Sequence, residues 1–123
     1  MEFSIEFFEN ISGQCPVREF LESLRMVDPD DFASVMAGIN KLRNRDCHRP
    51  PLSKSLGKDL FELRHVGKLN TRIIYFFAGD RRIILVHGIR NKGQGVPQRD
   101  IFVAEKRKKE WEARNRYEKK NQF

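Results

Sequence analysis

Long apolar runs, paired cysteines and metal-ligand spacings are all missing from this chain of 123 residues. No stretch approaches the roughly 18 apolar residues that cross a bilayer. The opening MEFSIEFFENISG has an early acid, no basic start and no apolar segment of the length an export signal needs. We therefore expect a cytoplasmic protein with no membrane partner. Only Cys15 and Cys47 are present, 32 positions apart and without a Cys-x-x-Cys pair, so neither a disulfide framework nor a zinc finger is signalled, and both read as reduced thiols. His48, His65 and His87 have no carboxylate or thiolate at ligand spacing, so no metal is expected. No other cofactor is expected, and there is no internal repeat.

What is present is positive charge, unevenly placed. The formal charge is +7 and the isoelectric point near 9.7, which favours a polyanionic partner. Residues 1–45 hold five Lys/Arg against eight Asp/Glu, whereas residues 46–123 hold nineteen against nine. The second part of the chain therefore carries the anion-facing surface. This length fits one domain, taken as 1–123, with a lysine- and arginine-rich helical extension from about 106.

Phe3, Ile5 and Phe7 alternate with polar residues as in a strand, and the Asn10–Gly13 turn signal ends it. Pro16 then opens a helix with Val17, Phe20, Leu21 and Leu24 on one face. A second helix has Asp28 as N-cap and Pro29 at its first position, with Phe32, Val35, Met36, Ile39 and Leu42 inward. Asn44 to Lys58, with Pro50, Pro51 and Gly57, reads as a long irregular loop. Three strands follow near 59–65, 71–78 and 81–89, the middle one apolar enough to be buried on both faces. A two-residue type II′ turn at Gly79 and Asp80 would set Arg72 opposite His87, and pairing Arg64 with Arg72 would align all three on one face. Pro97 starts a last helix that runs into EKRKKEWEARNRYEKKNQF. The order β-α-α-β-β-β-α is an α+β domain with helices against a small sheet.

That order, with L-F-E-L-R, T-R-I-I-Y-F-F and H-G-I-R-N-K-G-Q-G-V-P, resembles the RelE/ParE toxin superfamily, in particular its phage-derived, HigB-like branch. Leu63, Arg64, Arg72, Tyr75, His87, Gly88, Lys92, Gln94 and Pro97 fall on the motif positions. Asn91 stands where that branch more often has the first lysine of a pair, and Gly93 and Gly95 replace a commoner Thr and Lys. The resemblance implies a RelE-like, antiparallel-rich sheet packed by two N-terminal helices, plus a basic C-terminal helix. It implies the toxin of a type II toxin–antitoxin module, a ribosome-dependent endoribonuclease cutting mRNA in the A site. A helix-turn-helix antitoxin would cover the basic sheet face in a toxin–antitoxin heteromer.

RNA cleavage without a metal needs a 2′-hydroxyl deprotonated, phosphorane charge stabilised and the 5′-oxygen protonated. The planar arginine fork suits the second task, so Arg72 is assigned to the transition-state phosphate with Arg64 second. His87 is the candidate general acid or base, because an imidazole titrates near neutrality. Arg90, Lys92 and Gln94 are assigned to flanking RNA, and Lys106 and Arg107 to RNA contacts of the basic extension. Tyr75 reads as core, although a tyrosine can stack a base. On this reading Arg72→Ala should abolish growth arrest with the fold intact. The plainer readings are Arg64 and Arg72 paired with Glu62 or Asp59, His87 as a satisfied sheet residue, and the tail as a solvated helix face. The competing functions are a degenerate toxin that binds RNA or the ribosome without cutting, and a ParE-like inhibitor of DNA gyrase.

Overall fold

In a computed structural model that describes residues 2–120, with side chains through Arg116, the apolar run at the middle of the chain is a central strand. Among the described residues the order is β1 (Ser4–Phe7), α1 (Pro16–Val27), α2 (Pro29–Lys41), a 3-10 turn (Arg45–Cys47), β2 (Ser53–Gly57), β3 (Leu60–Val66), β4 (Asn70–Ala78), β5 (Arg82–Asn91) and α3 (Gln98–Lys120). The sheet order is β1-β5-β4-β3-β2, with β1 parallel to β5 and the other neighbours antiparallel. The fold is α+β, as the patterning predicts. The expected continuation of the last helix into Asn121–Phe123 lies outside the described residues.

Local chemistry starts and stops the helices. Pro16 occupies the first turn of α1, and the Asp28 N–H closes that helix on Leu24 O at 2.8 Å. The Asp28 carboxylate then accepts from the Asp31 N–H at 3.1 Å, capping α2 behind Pro29. One residue thus ends one helix and begins the next. Val17, Leu21 and Leu24 of α1 and Val35 and Ile39 of α2 pack with Leu63, Ile73, Tyr75, Ile83 and Leu85 on one sheet face. On the other face Leu60, Ile74, Phe76, Ile84 and Val86 meet Ala104, Ile101 and Trp111 of α3. The period-2 alternation of β4 therefore feeds two cores, so its run is apolar on both sides.

Two expectations are corrected. The segment read as an irregular loop contains β2, paired with β3 through Ser53↔Leu63, Lys54↔Glu62 and Ser55↔Phe61. It is an edge strand with Lys54 and Ser55 exposed, so it needs no apolar alternation to announce it. Only Ser53 is buried, its hydroxyl hydrogen-bonded to the Tyr75 hydroxyl in the first core.

The β4–β5 turn is also different. Ala78 pairs with Arg82 around a three-residue loop in which Asp80 and Arg81 take left-handed φ values of 62° and 56°. Further along, Tyr75 pairs with Leu85 but Ile74 with His87, so Val86 is the extra residue of a bulge. Arg72 consequently lies opposite Ile89 rather than His87, while Arg64 does pair with Arg72. A one-residue shift inverts a strand's faces. The longer loop and the bulge are two such shifts, and together they return His87 to the face of Arg72.

Gly88 falls on the α1 side, where a Cβ would stand 2.5 Å from Cδ2 of Phe20. Gly88→Ala should cost about 1–3 kcal/mol of stability through this overpacking, read as a lower urea midpoint at unchanged slope.

Candidate catalytic site on the α3 face

The bulge leaves the carbonyl of Val86 and the side chain of His87 directed at α3. Asp100, in the first turn of that helix, brings Oδ1 within 2.7 Å of His87 Nε2. Two turns on, Arg107 Nη1 donates to Val86 O at 2.7 Å and stands 3.0 Å from His87 Nδ1. A guanidinium can only donate, so Nδ1 presents its lone pair and the ring proton sits on Nε2, donated to Asp100. His87 and Asp100 side chains are each 16% exposed. Burial holds the Arg107 guanidinium below its ordinary pKa, opposed by the charges of Glu110 and Glu19.

Arg72, on the same face, is 1% exposed. Its Nη1 donates to Asn91 Oδ1 at 3.1 Å and its Nη2 to Gly93 O at 3.2 Å. Nε lies 3.3 Å from Glu62 Oε2, an ion pair too misaligned to be a hydrogen bond, which leaves both atoms otherwise unpartnered. Asn70 Nδ2 adds a bond to Gly93 O at 3.1 Å. Arg72 thus pins the loop that follows β5, on which Lys92 and Gln94 are exposed. Its pairing with Glu62 lies in the sheet interior. Arg72→Ala would strand Glu62 in the core, so lost growth arrest in that variant would report folding as well as chemistry. Arg64, half-buried beside Arg72, makes no ion pair among the described residues.

Arg90 is not where the sequence reading places it. Beyond the bulge, His87, Ile89 and Asn91 face α3, so Gly88 and Arg90 face α1 and α2. Arg90 Nη2 donates to Asp28 Oδ2 at 2.8 Å and to Asp31 Oδ2 at 2.9 Å, holding the α1–α2 junction to the sheet. His65 Nε2 lies 3.1 Å from Asp31 Oδ1. The Arg90 hydrogen bond, aided by His65 against the cost of burial, keeps the Asp31 carboxyl below the usual carboxylate range.

The α3 face therefore collects His87, Arg72, Arg64 and Arg107, with Lys92 and Gln94 on the adjoining loop and Lys106 exposed on the helix. Asp100, Glu62 and Asn91 are partners that sequence reasoning missed. An acid inside the otherwise apolar Leu60–Leu63 run was the available signal for Glu62. Among the described residues no group of three or more His, Cys, Asp or Glu could hold a metal ion, and no helix is long and apolar enough to cross a membrane.

A family model described as phage-derived protein Gp49-like matches residues 22–109, most of the chain. The chain belongs to the Gp49-like family. This is a phage-derived, toxin–antitoxin-related family. The Gp49-like match spans Arg64, Arg72, His87, Asp100 and Arg107, so the whole α3-face cluster lies inside it. No curated protein matches the chain.

Two outcomes follow from the ion pairs of this Gp49-like fold. Glu62→Ala should lose about 3–5 kcal/mol in denaturant unfolding, because it leaves a guanidinium buried without counter-charge. Asp31 has a depressed folded pKa, so the stability it adds is complete above the unfolded value of about 3.9 and is lost as pH falls through the folded value. As pH falls below about 4 the wild-type urea midpoint should therefore fall more steeply than that of Asp31→Asn.

Proposed function

We propose that this Gp49-like protein is the toxin of a type II toxin–antitoxin module and a ribosome-dependent endoribonuclease that cuts translated mRNA. The observation that carries this reading is the His87–Asp100 pair, a carboxylate fixing an imidazole in the tautomer whose other nitrogen keeps a lone pair. That is the logic of an oriented general base. His87 Nδ1 takes the proton of a ribose 2′-hydroxyl, whose oxygen attacks the adjacent phosphorus. The phosphorus–5′-oxygen bond breaks, an equivalent proton ends on the 5′-oxygen, and the products are a 2′,3′-cyclic phosphate and a 5′-hydroxyl. No metal is required by this scheme.

Arg64, half-exposed and lacking an ion pair among the described residues, is the better placed arginine for the phosphorane oxygens. Arg72 acts one layer deeper, holding the loop on which Lys92 and Gln94 meet flanking RNA. A helix-turn-helix antitoxin and a cytoplasmic location belong to the same proposal. One observation favours the non-cutting alternative: the Arg72 guanidinium is turned inward to Glu62, Asn91 and Gly93. An RNA-binding protein without nuclease activity would retain that arrangement unchanged.

Induced expression in a bacterial host, with new 5′ ends mapped on translated and untranslated copies of one transcript, separates the two. The expected result is growth arrest with cuts confined to the translated copy, and a loss of about 10²-fold or more in cleavage for His87→Ala and Asp100→Asn. Normal growth and intact transcripts, from wild-type protein made in good yield, would sink the nuclease reading.

A further inference from the structure

Arg107 lies between His87 Nδ1 and a groove beside α3. A groove of about 430 Å³ runs between the β1–α1 segment and α3, lined among others by Phe8, Phe102, Val103, Lys106 and Arg107. His87 does not line it, although its Nδ1 is 3.0 Å from Arg107. Whatever enters the groove meets the guanidinium first and the imidazole lone pair only if that guanidinium moves. The Arg107 bonds are to neutral groups, a carbonyl and an imidazole, and Glu110 and Glu19 act on it through space without pairing with it. A half-buried cation held by neutral acceptors exchanges them readily for an anion.

The rest of the groove fits one nucleotide. Phe102 is 68% exposed, a large aromatic ring left in water, and lies four residues before Lys106 on the same helix face. A base can stack on that ring while its phosphate reaches Lys106 and Arg107. Glu19 and Glu110 also line the groove and balance the two cations, so it favours a single phosphate with a stacked base over a run of polyanion.

We propose that Arg107 is a gate: it caps the lone pair of His87 while the groove is empty and uncovers it when an RNA phosphodiester takes its guanidinium. This rests on the nuclease reading, in which Arg107 is a positioning residue that couples phosphate binding to exposure of the base. The Nδ1 lone pair is thereby occupied while the groove is empty, and the base is released only beside the phosphate it serves.

Diethyl pyrocarbonate tests the gate without any activity assay, since it acylates an imidazole nitrogen only through its lone pair. The rate is followed at His87 by peptide mass mapping, with His48 and His65 as references in the same chain. His87 should be slow in the wild type and faster by about tenfold or more in Arg107→Ala, the value of one lost capping hydrogen bond. A 2′-O-methyl RNA trinucleotide, which carries phosphodiesters but cannot be cut by 2′-hydroxyl attack, should speed His87 modification in the wild type and not in the variant. Arg107→Lys, which keeps the charge in case the alanine variant does not fold, should lie between the two. An unchanged His87 rate in a folded variant, or on adding the trinucleotide, overturns the gate. Cleavage of translated mRNA with unmoved His87 rates would reject the gate and keep the nuclease. The expected rates in a protein that cuts nothing would do the reverse.

Discussion

One extra residue in β5 organises this molecule. At Val86 the ladder with β4 is broken, and every side chain between His87 and Asn91 takes the face opposite to the one an unbroken strand would assign it. His87 then meets Asp100 and Arg107 of α3, Asn91 meets Arg72, and Arg90 reaches Asp28 and Asp31 on the other side. The Val86 carbonyl is satisfied by Arg107. A buried carbonyl without a partner would be costly, so the bulge and the arginine are mutually dependent.

The two faces use charge differently. Toward α1 and α2, Arg90 with two aspartates ties the helix junction to the sheet, and the capping role of Asp28 makes the same carboxylate part of a cap and of an ion pair. Toward α3, Arg72 is buried almost completely with Glu62, an arrangement that apolar residues of similar volume could replace without loss of stability. Its return is positional: two donors clamp the loop after β5 at Asn91 and Gly93. Arg64, across the strand pair and half-exposed, keeps the capacity to meet an external anion.

Placing the candidate site groups on strands β3, β4, β5 and helix α3, rather than on long loops, gives them a rigid frame. The central strands are buried on both faces, so the imidazole, its orienting carboxylate and the capping guanidinium are held by packing as well as by hydrogen bonds. The acid at the N-terminus of α3 also sits where the helix dipole favours a carboxylate. The arrangement is that of an imidazole oriented by one side chain and capped by another.

Local chemistry alone determined much of this protein. Periodicity located both N-terminal helices, Pro16, Asp28 and Pro29 set their starts, and the β4 run declared a strand buried on two faces. The L-F-E-L-R, T-R-I-I-Y-F-F and H-G-I-R motifs singled out Arg64, Arg72 and His87, whereas their common face was inferred from a two-residue turn that the structure replaces with a longer loop and a bulge. Tertiary structure decided the rest, because turn length, bulges and edge pairing depend on contacts between segments far apart in the chain. The polar strand β2 exists only because β3 offers it a ladder, and the Val86 bulge only because two packed faces demand opposite parities along β5. Nothing near Arg90 or Arg72 in sequence distinguishes a cation aimed at RNA from one committed to Asp28, Asp31, Asn91 or Gly93. That distinction is a matter of which face a side chain is given, and the face is set by the register of the whole sheet.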